Sequence, residues 1–209
     1  MTNRSHRIFI GALLVLAAPA LLARPVIVFF GDSLTVGYGV EPEPAYPALV
    51  QEIIDATGVD AQVVNAGLSG ETTAAGLRRV DWILSRPIDI FVLALGGNDA
   101  LRGIPVDETK RNLEGILRKV AARYPDVRLI VAGMESPPNM GETFADAFRA
   151  VFPEVAQTHN TLLIPFLLEG VGGEKSLNLP DGIHPNPEGH RLVAENVWIV
   201  LEPVVTAAK

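Results

Sequence analysis

Ser33 lies in Phe30-Gly31-Asp32-Ser33-Leu34, directly after an apolar run that reads as a strand. A hydroxyl is a weak nucleophile until a neighbouring base takes its proton. A serine in this place therefore either caps the next helix or, with a base in reach, attacks an electrophilic carbon. His184 is the candidate base. It follows Asp181 by three residues in Asp181-Gly182-Ile183-His184-Pro185, so the carboxylate can hold one imidazole nitrogen, fix the tautomer and stabilise the imidazolium when it forms. Two further positions could face a developing alkoxide: the backbone N–H of Gly70, at the end of Asn65 to Gly70, and the side-chain amide of Asn98 in Gly96-Gly97-Asn98-Asp99. Each has a plainer explanation on its own: a helix cap, a surface histidine beside a turn aspartate, a turn asparagine. Together they supply nucleophile, base, orienter and oxyanion donors, the set that acyl transfer requires.

These residues need a frame that brings distant segments together. Candidate strands are Val26–Phe30, Ala61–Asn65, Ile88–Leu95, Val127–Val131 and Thr161–Ile164, short and mostly apolar, as strands buried on both faces should be. Helical patterns separate them. Leu113, Ile116, Leu117, Val120 and Ala121 fall on one helix face, with Asp107 as a cap before it. Asn186 and Pro187 read as the cap and first position of a last helix that Pro203 would end. Strands alternating with helices imply right-handed crossovers, hence an α/β fold: a single three-layer α/β/α domain with a mostly parallel five-stranded sheet. Ligands in such sheets bind beyond the carboxyl ends of the strands. The segments carrying Ser33, Gly70 and Asn98 follow strands, and a fourth, before the last helix, carries Asp181 and His184.

The chain has 209 residues, 48% of them hydrophobic, which suits one domain with a full core. Arg4 and Arg7 precede an uncharged run from Ile8 to Ala23, 16 residues long and ending in small residues. That is the layout of a secretory signal peptide, cleaved near Ala20 or Ala23 and leaving a domain over residues 24–209. The run is shorter than the ~20 residues a spanning helix needs, so no stable membrane anchor is expected. There is no cysteine, which excludes a thiol nucleophile and any disulfide. The formal charge is −7. Cleavage after Ala23 would remove two of the 17 basic side chains and none of the 24 acidic ones, giving −9. An acidic chain without a basic run is not a nucleic-acid binder.

Four blocks in order carry a resemblance: Phe30-Gly31-Asp32-Ser33-Leu34, then Asn65-Ala66-Gly67-Leu68-Ser69-Gly70-Glu71-Thr72, then Gly96-Gly97-Asn98-Asp99, then Asp181-Gly182-Ile183-His184-Pro185-Asn186. The chain resembles the SGNH subgroup of GDSL-type lipases and esterases over nearly its whole mature length. It is most similar to the periplasmic group of arylesterases, acyl-CoA thioesterases and lysophospholipases. The resemblance implies a flavodoxin-like SGNH fold, Ser33 as nucleophile, His184 as base and Asp181 as its orienter. It implies an oxyanion hole formed by the Ser33 N–H, the Gly70 N–H and the Asn98 side chain, with Asp32 and Asn65 holding loops in place. It also implies a periplasmic destination.

Other signals take ordinary readings. Ser69 lacks the last glycine of a G-x-S-x-G elbow. His190 reads as a surface residue of the last helix and His159 as structural. No metal-ligand spacing and no phosphate loop is present, so neither metal nor cofactor is expected. The expected reaction is two-step hydrolysis of a small acyl ester or thioester, with short to medium acyl chains held by loops such as Ala100–Ile104 and Ser136–Met140. A histidine base would make activity fall below about pH 6.5, and the Asp181 carboxylate would move that fall somewhat higher. The alternatives are a carbohydrate O-deacetylase, against which the 6% aromatic content weighs, and a non-catalytic binding module on the same scaffold. Oligomeric state is not legible.

Overall fold

Five parallel strands form one sheet in the order β2-β1-β3-β4-β5: β1 Val26–Gly31, β2 Gln62–Gly67, β3 Ile90–Ala94, β4 Arg128–Ala132 and β5 Leu162–Ile164. The computed structural model describes residues 24–207, so the expected signal peptide over residues 1–23 lies outside the described residues. All five expected strands form, with ends shifted by one or two residues. The central β3 is buried at every position, and β1 at all but its first. The edge strands are not: β2 exposes Gln62 and Asn65, and β5 exposes Leu162. An edge strand has one neighbour, so polar residues there meet water without orphaning a partner.

The helices are α1 Ser33–Val36, α2 Tyr46–Thr57, α3 Thr73–Ile83, α4 Gly97–Leu101, α5 Val106–Arg123, α6 Glu142–Thr158 and α7 Pro187–Thr206. α2 and α7 pack together, while α3, α5 and α6 pack in series. Right-handed crossovers place these two sets on opposite faces, because the chain leaves β1 in one direction to reach β2 and returns past it to β3. The direction of winding therefore reverses between β1 and β3, and a crevice opens there beyond the carboxyl ends. Ser33 follows β1 and Asn98 follows β3, so both stand at that reversal.

Three local expectations change. Asp107 does not cap α5. Pro105 occupies the cap position with no side-chain bond, and Asp107 and Glu108 instead lie in the first turn, where carboxylates favour the helix dipole. Pro203 does not end α7, which runs on to Thr206. Leu201 and Val205 are buried on either side of it, and their packing holds the helix past the missing N–H. His190 is not on the surface: it is 1% exposed, in one buried stripe with Val193, Ala194 and Val197. Asn186 does cap α7, accepting from the Glu188 and Gly189 N–H groups, with Pro187 at the first position.

Candidate active site

Ser33 begins α1 immediately after β1. Asp32 caps that short helix by accepting the Leu34 N–H at 3.1 Å. The turn can form because Gly31 has no side chain: a Cβ there would lie 2.1 Å from Thr35 Oγ1 and 2.7 Å from the Ala94 carbonyl. The Ser33 hydroxyl is nearly buried and stands 2.9 Å from His184 Nε2.

His184 arrives from a loop tied to the start of α7. Its own carbonyl accepts the Leu179 N–H at 2.7 Å, and Asn178 bridges to Pro185. Asn186 donates to the Ser176 carbonyl while capping α7. Within this loop, Asp181 Oδ1 accepts the N–H groups of Ile183 and His184 at 3.0 and 3.1 Å, and Oδ2 faces His184 Nδ1 at 2.7 Å. Partial burial works to raise the Asp181 carboxyl, but these three donors and the imidazole outweigh it and hold the group low, at about 2. Asp181 is thus ionised at neutral pH and fixes Nδ1 as the protonated nitrogen, leaving Nε2 free to accept the Ser33 proton.

Asn98 sits on α4. Its amide nitrogen donates to Asp32 Oδ2 at 3.2 Å, which fixes the side-chain plane and leaves its second N–H unused by that bond. Burial is the largest influence on Asp32 and pushes its carboxyl up to about 6, against the lowering effect of the Leu34 N–H and the Asn98 amide. Asp32 therefore does more than hold a loop: it joins the serine turn to the asparagine that follows β3. Asn65, by contrast, sits in β2 and holds the adjoining segments in place, donating to the Thr35 carbonyl and accepting the Gly67 N–H.

Gly70 takes a left-handed conformation, φ +76°, that favours glycine. Two connections bind its loop to α4. Buried Asp99 accepts the Thr73 N–H at 2.8 Å and the Thr73 hydroxyl from inside, and Arg102 donates to the Gly70 carbonyl at 3.0 Å from outside. Glu71 is buried against Arg79, whose guanidinium also lies over Phe30, 4.2 Å from the ring centre.

Ser33, Asn98, Asp181 and His184 line one cleft of about 500 Å³. Gly70 does not line it; its carbonyl is held by Arg102, next to the lining residue Leu101. Of the two loops expected to hold an acyl group, Leu101 contributes from the first and Ser136, Pro137 and Pro138 from the second. The rest of the apolar wall was not foreseen: Met134 after β4, and Phe166 and Leu168 after β5. No motif marks them, although apolar residues just past a strand end were a usable signal, since such segments face the crevice. Tyr38, whose ring lies against that of His184 with centres 4.6 Å apart and planes tilted by 43°, was likewise missed.

The same architecture and sequence recur in known enzymes. Residues 29–192 match the GDSL-like Lipase/Acylhydrolase family. The esterase TesA of Pseudomonas aeruginosa is 36% identical over 93% of this chain and 96% of its own length. Thioesterase 1/protease 1/lysophospholipase L1 of Escherichia coli is 34% identical over 92% and 90%. The crystal structure of TesA superposes with a TM-score of 0.82, covering 86% of this chain and 99% of that one at 36% identity. That of the esterase EstA from Pseudoalteromonas, inhibited by monoethylphosphonate, does so at 0.81, covering 87% and 98% at 28% identity. With the family matched over most of the sequence and curated esterases related along nearly its whole length, the chain belongs to the GDSL-like lipase/acylhydrolase family and is an ester-hydrolysing enzyme of the SGNH type.

Proposed function

We propose that Ser33, His184 and Asp181 form the catalytic triad of this esterase and that the Ser33 N–H, the Gly70 N–H and the Asn98 amide form its oxyanion hole. The observation that carries the reading is the unbroken line from Asp181 Oδ2 to His184 Nδ1 and from His184 Nε2 to Ser33 Oγ, at 2.7 and 2.9 Å. The Ser33 oxygen attacks the carbonyl carbon while its proton passes to Nε2. The carbonyl oxygen takes the negative charge and meets the three donors. Collapse expels the leaving alcohol or thiol with the proton from Nε2. Water then attacks the acyl-serine, gives one proton to Nε2, and releases the acid as Ser33 recovers its own. The phosphonate inhibition of the related EstA agrees with a nucleophile that forms a tetrahedral adduct.

The cleft walls of Leu34, Leu101, Met134, Phe166 and Leu168 support an apolar acyl group of short to medium length. We further propose that residues 1–23 direct export to the periplasm and are removed, in keeping with the basic and then apolar order of that segment. Among the described residues no helix is long and apolar enough to cross a membrane. The test is hydrolysis of p-nitrophenyl acyl esters of increasing chain length, with Ser33→Ala alongside. Turnover that disappears in the variant is expected, with a rate maximum that sizes the cleft. Equal turnover in both proteins overturns the assignment, and turnover confined to acetylated glycans moves it to an O-deacetylase.

A further inference from the structure

Two of the donors proposed for the oxyanion hole come from strands that are not neighbours. Gly70 follows β2 and Asn98 follows β3, and β1 lies between those strands in the sheet. With strands about 4.8 Å apart, β2 and β3 are separated by about 10 Å. Two donors that share one oxygen, each about 3 Å from it, stand no more than about 6 Å apart. Strand pairing therefore does not set their spacing. It has to come from bonds between the loops themselves.

Asp99 makes such a bond from the interior. It is fully buried and does not line the cleft, while Asn98, one position earlier on α4, does. Its Oδ2 accepts the Thr73 N–H at 2.8 Å, and its Oδ1 accepts the Thr73 hydroxyl and, from α5, the Thr109 hydroxyl at 3.3 Å. Asn112, one turn further along α5, donates to Thr73 Oγ1 at 3.1 Å, which leaves the proton of that hydroxyl for the carboxylate. Thr73 and Thr109 are as buried as Asp99, so water does not compete for these bonds. A carboxylate accepts at both oxygens and so matches all three donors, where an amide would turn its own N–H groups toward one of them. Thr73 is in turn joined to Gly70. The Glu71 N–H closes a turn onto the Leu68 carbonyl at 3.1 Å, and the Thr72 hydroxyl caps α3 by accepting the Ala75 N–H at 3.3 Å.

The Thr73 N–H is one of the groups that the start of α3 leaves open, so Asp99 has a structural use. Its place matters as well: the carboxylate is one residue from Asn98, and the N–H it holds is three residues from Gly70. We propose that Asp99 is a positioning residue of the esterase reaction, holding the Gly70 turn and the Asn98 amide at the separation that one oxyanion needs. It acts through those two residues and touches no substrate. The inference rests on the reading of Gly70 and Asn98 as oxyanion donors.

The test is a double-mutant cycle of Asp99→Asn with Asn98→Ala. Hydrolysis of a p-nitrophenyl acyl ester is measured per mole of folded enzyme, the folded share being read from urea unfolding. A misplacement of about 1 Å can cost about 10²-fold in rate, so Asp99→Asn should lower kcat about 10- to 10²-fold with KM nearly unchanged. In the Asn98→Ala background one of the positioned donors is already gone, and the same substitution should cost at least about three-fold less than it does in the wild type. Unchanged kcat, a change confined to KM, or equal fold-losses in the two backgrounds overturns the proposal and leaves Asp99 a buried partner of α3. If the Asp99→Asn protein does not fold, Thr73→Val takes its place, because it keeps the N–H bond and removes the hydroxyl. A several-fold loss of kcat is then expected, smaller beside Asn98→Ala and absent in Thr73→Ser, and wild-type kcat in Thr73→Val overturns the proposal. Normal kcat in Asn98→Ala alone overturns the oxyanion reading and this proposal with it. The expected loss in Asn98→Ala, beside Asp99→Asn losses that simply multiply, overturns the positioning role alone.

Discussion

His184 and His190 stand six residues apart and have opposite chemistry. His184 sits on a loop, with a carboxylate at Nδ1 and a hydroxyl at Nε2. His190 lies one turn into α7, 1% exposed, with its Nδ1 accepting the Tyr46 N–H at 3.3 Å and its ring stacked near that of Tyr46. Burial is the main cause of a pKa lowered to about 4, with the nearby His184 adding to it, so His190 is neutral at any ordinary pH. Tyr46 in turn meets the Thr35 hydroxyl at 2.8 Å, two residues past Ser33. The difference lies in the partners. An acid beside one ring creates a base that can hold a positive charge, and an amide N–H beside the other creates a spacer that must not.

The widest separation between the two should appear on replacing each by alanine. His184→Ala should cost about 10⁵–10⁶ in kcat, the scale seen when a triad base is removed, with little change in stability because the residue lies on a loop at the cleft. His190→Ala should leave kcat nearly intact and lower stability by about 2–4 kcal/mol, through a cavity and an orphaned Tyr46 N–H. Steady-state kinetics and denaturant unfolding on both proteins check the pair, and a reversal of the two patterns would end the distinction. Asp181→Asn sharpens it. The amide oxygen can still accept the Ile183 and His184 N–H groups, but the amide nitrogen now faces Nδ1 and forces the proton onto Nε2. A loss of about 10⁴ in kcat is expected for that wrong tautomer, and a loss under ten-fold would show that Asp181 does not set it.

A smaller effect should follow from Asn98→Ala. Removing one oxyanion donor costs about 10²–10³ in kcat, with KM nearly unchanged because the donor acts on charge that develops only in the transition state. A variant with altered KM and normal kcat would make Asn98 a substrate-binding residue instead.

The strands were legible because each is a short apolar run between helical periods, and the four residues that share the cleft, Ser33, Asn98, Asp181 and His184, were legible as candidates because their blocks fall after strands or before the capped helix. What was not legible depends on distant packing. The buried stripe of α7 contains His190 at helical spacing with Val193, Ala194 and Val197, and that periodicity was available in the sequence. A polar type was read as surface because the Tyr46 N–H that satisfies it lies 144 residues away. Asp32 was read as a loop holder for the same reason: its bond to Asn98 spans 66 residues. The helix ends at Asp107 and Pro203 misled because local capping preferences are worth about 1 kcal/mol and yield to burial of a whole turn.

The finest discrimination between the histidines is in the pH dependence of stability. In the unfolded chain His190 takes up a proton near pH 6.5, and in the fold only near 4. Between those values the unfolded state binds more protons, so the contribution of His190 is complete above pH 6.5 and is lost as pH falls toward 4. Asp32 runs the other way. Its carboxyl, raised from 3.8 to about 6, adds stability that is full below pH 3.8 and lost as pH rises through 6. The two slopes oppose each other in the wild type across most of this window. His190→Asn, whose amide oxygen lies where Nδ1 does, keeps an acceptor for the Tyr46 N–H and removes the titration. The stability of the wild type relative to this variant should fall by about 2 kcal/mol between pH 7 and pH 4.5, measured by urea unfolding at each pH. Any constant cost of asparagine in the helix cancels in that difference, and so does the Asp32 slope. Parallel curves for the two proteins would mean that His190 accepts a proton in the fold as readily as in the unfolded chain, and that burial alone does not divide the two rings.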